Sequence, residues 1–127
     1  MSSLRSSSPG IAAIVALFAF SSVAAEKAAG AAGQALYDKE CAQCHGATGK
    51  GDGEEAAYLT PTPKDFTTLE KRSDEFLTAV IAKGGAAKGL SQAMPAFPKL
   101  SQADLTNLVA YIRQLGKNSA KPAAPPR

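Results

Sequence analysis

Four patterns of apolar and polar positions run along the chain. Ile11 to Phe20 is an unbroken apolar run without a charge. Gly33, Tyr37 and Cys41 then recur at intervals of four, which places a small residue, a ring and a thiol on one face of a helix over about 33–41. A second helix is predicted after Ser73, whose hydroxyl suits an N-cap. Asp74 and Glu75 fill its first turn, where the helix dipole favours negative charge, Phe76, Leu77, Val80 and Ile81 form the stripe, and Gly84-Gly85 marks the stop. The clearest pattern is the last: Leu105, Leu108, Val109, Ile112 and Leu115 at helical spacing, opened by Ser101-Gln102-Ala103-Asp104, a capping box with Asp in place of Glu, and closed by Gly116. No stretch alternates as a strand does and no segment repeats.

The intervening segments are irregular. Glu26 to Ala32 is an alanine-rich lead of weak character, and Gly46 to Gly53 carries four glycines in eight residues. That loop lacks the Gly-Lys-Ser/Thr ending and preceding strand of a phosphate-binding loop, so it reads as chain turning sharply beside something flat. Leu59 to Phe66 is stiffened by Pro61 and Pro63. Gly84 to Leu100 shows no period, and so long a loop in a compact domain is usually functional. Lys117 to Arg127 is a Pro/Ala/Lys tail with too little apolar surface to fold, and it is expected to be disordered.

The N-terminal pattern changes how the rest is read. Arg5, the ten-residue apolar run and the small residues Val23-Ala24-Ala25 before Glu26 have the make-up of a secretory signal, with cleavage expected after Ala25. The run is shorter than the roughly 17–25 residues that span a bilayer; the alternative, an uncleaved anchor, needs the helix stretched over Gly10 to Ala25. The expected organisation is therefore a signal at 1–25, one domain at 26–116 and a tail at 117–127, in a periplasmic protein with no membrane span once processed. Without Arg5, thirteen basic residues face eleven acidic ones, a net charge of +2. That is too small a bias for nucleic-acid binding. The chain has no tryptophan and few other aromatics, so its protein-only core is thin, and small domains of this kind usually need a staple or a cofactor.

Cys41-Ala42-Gln43-Cys44-His45 holds both cysteines and the only histidine. Thiols at i and i+3 followed by an imidazole is the spacing that attaches haem, each thiol adding across one vinyl group and the histidine reaching the iron. Three other readings compete. A thioredoxin-like dithiol sits in a βαβ pattern, which is absent. A structural zinc site takes four ligands, and only three candidates exist. A plain disulfide leaves the adjacent histidine without a role. Apart from Met1 the chain has one methionine, Met94, in the long loop before Pro95. A thioether there is a candidate sixth ligand, since sulfur stabilises ferrous iron and raises the potential. An open sixth position, suited to ligand binding or peroxide chemistry, is the competing possibility.

Taken together, these residues resemble a small monohaem class I cytochrome c of the bacterial, exported type. Gly33, Tyr37, Cys41, Cys44 and His45 match that family's haem pattern, Gly49-x-Gly51-Asp52-Gly53 its following loop, Met94-Pro95 its axial-ligand segment, and Leu108 to Ile112 its C-terminal helix. The resemblance spans Gly33 to Leu115 and implies an all-α cytochrome c fold, three to four helices around one haem c, covalent through Cys41 and Cys44. It further implies iron between His45 and Met94, Gly33 and Tyr37 crossing Leu108 and Tyr111, and a carbonyl of Pro61 (or, failing that, Pro63) on the proximal imidazole. Lys83 and Lys88 are candidate partners for the haem propionates. The implied function is one-electron transfer between redox proteins, not catalysis. The carrier is expected to be a monomer whose Lys39, Lys50, Lys64, Lys83, Lys88 and Lys99 meet acidic docking faces. The alternatives are an electron-entry subunit of a larger dehydrogenase, reductase or oxidase, and a haem enzyme or sensor.

Overall fold

The computed structural model describes residues 16–121. Among them are four α-helices and no strand: α1 (Ala16–Glu40), α2 (Ala42–His45), α3 (Asp74–Lys83) and α4 (Gln102–Ala120). Short 3-10 turns at Glu54–Tyr58, Phe66–Thr68 and Ala86–Lys88 punctuate the connections.

The first helix departs from expectation at its start. It does not begin near Gly33 but runs back without a break through the 26–32 lead. Alanine has the highest intrinsic helix propensity, and a segment without an apolar stripe still forms helix when propensity alone favours it. Residues 1–15 of the expected signal lie outside the described residues, while 16–25 are continuous with α1. No helix among the described residues is long and apolar enough to cross a membrane.

The crossing of α1 and α4 organises the core. Tyr37 and Leu108, 0% and 1% exposed, are its two fully enclosed side chains. Gly33 makes the approach possible, because a Cβ there would stand 2.3 Å from the Asn107 carbonyl oxygen and 3.0 Å from Tyr111 Cβ. The expected crossing of Gly33 and Tyr37 with Leu108 and Tyr111 is thus present, Tyr37 and Tyr111 having ring centroids 5.4 Å apart. Around it cluster Phe66, Leu69, Leu77, Ile81, Val109 and Ile112, each such side chain contributing about 1.5–3 kcal/mol on burial.

The remaining helix signals can be checked atom by atom. Ser73 Oγ accepts from the Phe76 amide at 3.2 Å, and Gly84, with φ +84°, ends α3. Both halves of the capping box at α4 are present: Ser101 Oγ accepts from the Asp104 amide at 3.1 Å, and Asp104 Oδ2 accepts from the Ser101 amide at 3.0 Å. The hydroxyl and amide of Ser101 together hold the Asp104 carboxyl below the usual carboxylate range.

The end of α4 corrects the expected boundary at 116. The helix passes through Gly116 to Ala120. Gly116 serves close approach rather than termination, since a Cβ there would lie 2.6 Å from the Phe66 carbonyl oxygen. Residues 117–120 consequently belong to the folded domain, and Ser119 Oγ donates to the Thr48 carbonyl at 2.7 Å. The rest of the expected tail, 122–127, lies outside the described residues. Arg113 ties α4 to the turn before α3, donating to Asp74 Oδ1 at 2.9 Å, to the Leu69 carbonyl at 2.8 Å and to the Arg72 carbonyl.

A candidate haem site between His45 and Met94

Cys41, Cys44 and His45 are set by one tight turn continuous with α1. The Cys41 amide still bonds the Tyr37 carbonyl at 2.8 Å, and the His45 amide returns to the Cys41 carbonyl at 2.9 Å. Gly46, with φ +82°, then reverses the chain, and its carbonyl accepts a 2.6 Å hydrogen bond from the buried Tyr37 hydroxyl. Burial raises Tyr37 well above the usual phenol range, so it stays a donor. Burial, with help from Glu40 and Cys44, likewise pushes the Cys41 thiol up to about 12. Cys44 is half-buried and, like Cys41, a free thiol.

His45 is held on two sides. Its Nδ1–H donates to the Lys64 carbonyl at 3.2 Å, and the Phe66 ring lies 4.8 Å away at 31° to the imidazole. Carbonyls only accept, so this contact fixes the proton on Nδ1 and leaves Nε2 with a free lone pair. Burial lowers the imidazole's basicity, opposed by the Lys64 contact, and favours the neutral form that binds metal. The acceptor is a correction to the sequence reading: it is Lys64, and neither Pro61 nor Pro63. Two prolines stiffen the approach, and the chain reaches the imidazole one residue beyond the second.

Cys41, His45 and Met94 line one cavity of about 100 Å³. Most of its other walls are apolar, with Leu69, Phe76, Leu77, Ile81, Phe97 and Ile112 drawn from α3, α4 and the connecting turns. Met94 comes from the 84–100 loop, which is fastened to α3: the Gly85 amide bonds the Met94 carbonyl at 3.0 Å and the Phe97 amide bonds the Ile81 carbonyl at 3.0 Å. Of the lysines expected near a carboxylated cofactor, Lys83 and Lys88 do not line this cavity, whereas Lys64 and Arg72 do. Phe66, the partner of the imidazole, had no periodic signal in the sequence, because it sits on a three-residue turn. A larger open groove of about 580 Å³ runs beside α2, lined by Asp38, Gln43, Thr48, Asp52 and Glu54 among others. It is polar and contains none of the four candidate site residues.

The donor set fits a covalently held haem. Two thiols stand one turn apart, Cys41 lining the cavity and Cys44 adjoining His45 in sequence, a neutral imidazole presents Nε2, and a soft thioether lines the same mostly apolar cavity.

Comparison with known proteins agrees with this chemistry. Residues 30–116 match the Cytochrome c family. The chain is 39% identical over 88 residues to cytochrome c-554(547) of Halothiobacillus neapolitanus, an alignment covering 67% of this chain and 94% of that protein. In that family the haem c is covalent, here through Cys41 and Cys44, and the protein transfers electrons rather than converting a substrate. On the matched span, the thiol spacing and the helical fold, the chain belongs to the cytochrome c family.

Proposed function

We propose that this chain is a one-electron carrier between periplasmic redox partners, its haem iron held between His45 and Met94. The single observation that supports the ligand pair is that His45 and Met94 line the same apolar cavity. When bound, haem c supplies one Fe(III)/Fe(II) couple, and Met/His ligation raises its potential.

Each residue has a definable role. Cys41 and Cys44 hold the group by thioether bonds, so it does not dissociate. His45 presents Nε2, aimed by the Lys64 carbonyl and the Phe66 face. Met94 would supply the second protein ligand to the iron and so leave no position for a substrate, in a cavity walled mostly by apolar side chains. Lys39, Lys50, Lys64, Lys83, Lys88 and Lys99 are all exposed. On this reading they present local positive charge to acidic docking faces, since the net charge is too low for long-range steering. The carrier works as a monomer after cleavage behind Ala25, which N-terminal sequencing of the exported protein tests directly.

Met94→Ala tests the ligand assignment. The reduction potential should fall, the weak ferric sulfur-to-iron band should vanish, and carbon monoxide should bind the reduced variant rapidly but not the parent. An unchanged ferric spectrum refutes Met94 as ligand. Gel filtration of native extract tests the free carrier, which a fixed stoichiometric complex would overturn.

A further inference from the structure

The two groups that aim His45 come from one short strap: the Lys64 carbonyl, which accepts from Nδ1–H at 3.2 Å, and the Phe66 ring, 4.8 Å away. Asp65 stands between them. Its Oδ1 accepts from the Thr67 amide at 2.9 Å and from the Thr67 hydroxyl at 2.8 Å, and its carbonyl accepts from the Thr68 hydroxyl at 2.7 Å. Asp65 thereby caps the Phe66–Thr68 turn, with φ −76° and ψ 123°. The Thr67 amide and hydroxyl hold its carboxyl below the usual carboxylate range, so at neutral pH both bonds are made to an anion. Neither Asp65 nor Thr67 lines the cavity, so any effect of this cap on His45 runs through the backbone. The direction of the Lys64 carbonyl follows from the two soft rotations flanking its planar peptide group, ψ of Lys64 and φ of Asp65. Pro63 fixes its own φ and restrains the residue before it, which leaves both of those rotations free. The cap supplies the missing restraint from the other side. Beyond it, the Phe66 amide donates to the Gly49 carbonyl at 2.8 Å, which ties the strap to the loop after His45.

We infer that Asp65 is a positioning residue for the His45 imidazole, its carboxylate locking the 64–65 peptide group so that the Lys64 carbonyl faces Nδ1. The inference rests on the reading of His45 as the iron's ligand. An acceptor held on Nδ1–H makes the imidazole a more basic ligand, and a more electron-rich ligand favours Fe(III) over Fe(II). Loosening the cap should therefore weaken the Lys64 contact and move the couple toward Fe(II).

The test uses 15N-labelled holoprotein carrying Asp65→Ala, Asp65→Asn or, as control, Asp104→Ala, each matched for haem content by pyridine haemochrome. In the ferrous state the proton on His45 Nδ1 reports its own hydrogen bond by nuclear magnetic resonance. In Asp65→Ala that resonance should move to lower frequency and exchange faster with solvent. At fixed potential the Fe(II)/Fe(III) ratio should shift about twofold to tenfold toward Fe(II), the worth of one net hydrogen bond, which for a one-electron couple is about 20–60 mV. Asp65→Asn keeps a side-chain oxygen for the Thr67 donors and should recover part of both shifts. Asp104→Ala removes a cap of the same kind at the start of α4, so it should lower the urea midpoint while leaving the His45 resonance and the ratio in place. A loaded Asp65→Ala protein with an unmoved resonance and an unmoved ratio overturns the proposal. If Asp65→Ala does not load, Thr67→Val, which deletes only the hydroxyl donor, decides alone, and an unmoved resonance there overturns it. The His45 ring protons of the parent report ligation separately, because a ligand held against a porphyrin is displaced by its ring current. Failure of the His45 assignment is thus distinguishable from failure of the Asp65 cap.

Discussion

Two glycines one helical turn apart in α1 should respond oppositely to the same substitution. At Gly33 a new Cβ would meet the Asn107 carbonyl oxygen at 2.3 Å, against an ordinary contact of 3.4–4 Å. The obstacle is backbone within α4, so relief requires the helices to separate by about 1 Å, at the point where Tyr37 and Leu108 are enclosed. Overpacking of this kind costs about 1–3 kcal/mol, and the gain in helix propensity from Gly to Ala returns only about 1 kcal/mol. Strain offsets or outweighs propensity, and Gly33→Ala should be destabilised by up to about 2 kcal/mol. At Gly30 nothing lies within 4 Å of the new Cβ, so propensity acts alone and Gly30→Ala should gain up to about 1 kcal/mol. Urea unfolding of the two holoproteins, followed by far-UV circular dichroism, reads the contrast. With m near about 2 kcal/mol/M, the Gly33→Ala midpoint should fall by up to about 1 M at unchanged m, and the Gly30→Ala midpoint should hold or rise. A Gly33→Ala midpoint at or above the parent's would refute the close-approach argument.

Three further outcomes are expected. Tyr37→Phe removes the donor to the Gly46 carbonyl and leaves a buried acceptor unpaired, which should cost about 1–3 kcal/mol in thermal or denaturant unfolding; an unchanged midpoint would show that water replaces the hydroxyl. Cys44→Ser should retain haem through one thioether only, seen as haem-bearing mass after acid extraction and a shifted haemochrome band, whereas a parental haemochrome band would contradict a bond at Cys44. Asp104, whose carboxyl the Ser101 bonds hold low, contributes stability that is full above the unfolded carboxylate value of about 4 and is lost as pH falls through the lower folded value. The stability gap between the parent and Asp104→Asn should therefore narrow as pH falls through that window, and a constant gap would count against the charged cap.

How much of this was legible in the sequence depended on how local the cause was. The caps at Ser73 and Ser101 are set by neighbours within one turn, and both proved as expected. The Cys-x-x-Cys-His turn carries its own chemistry, so the cofactor was legible too. Gly116 misled because glycine has two uses: the stop rule assumes its backbone freedom, while here its missing side chain admits the Phe66 carbonyl from a distant turn. The imidazole's acceptor was mislocated for the same reason, since which carbonyl arrives depends on how the chain from Pro61 to Phe66 is laid against α2. Arg72 and Phe66 sit on short turns without a period, where only the assembled cavity distinguishes them from ordinary surface and core.

The group that aims His45 belongs to the main chain, and this divides labour at position 64. Every amino acid has that carbonyl, so exchanging the Lys64 side chain leaves the imidazole's partner in place. The exposed lysine is thereby free to vary with the partner protein, and a charge reversal there should alter docking while leaving the iron's ligand spectrum untouched. Retuning the ligand itself would instead require re-routing the Pro61–Asp65 backbone. On the proposed reading, recognition by the Lys64 side chain and aiming of His45 by its carbonyl meet at one residue, yet each can be adjusted without disturbing the other.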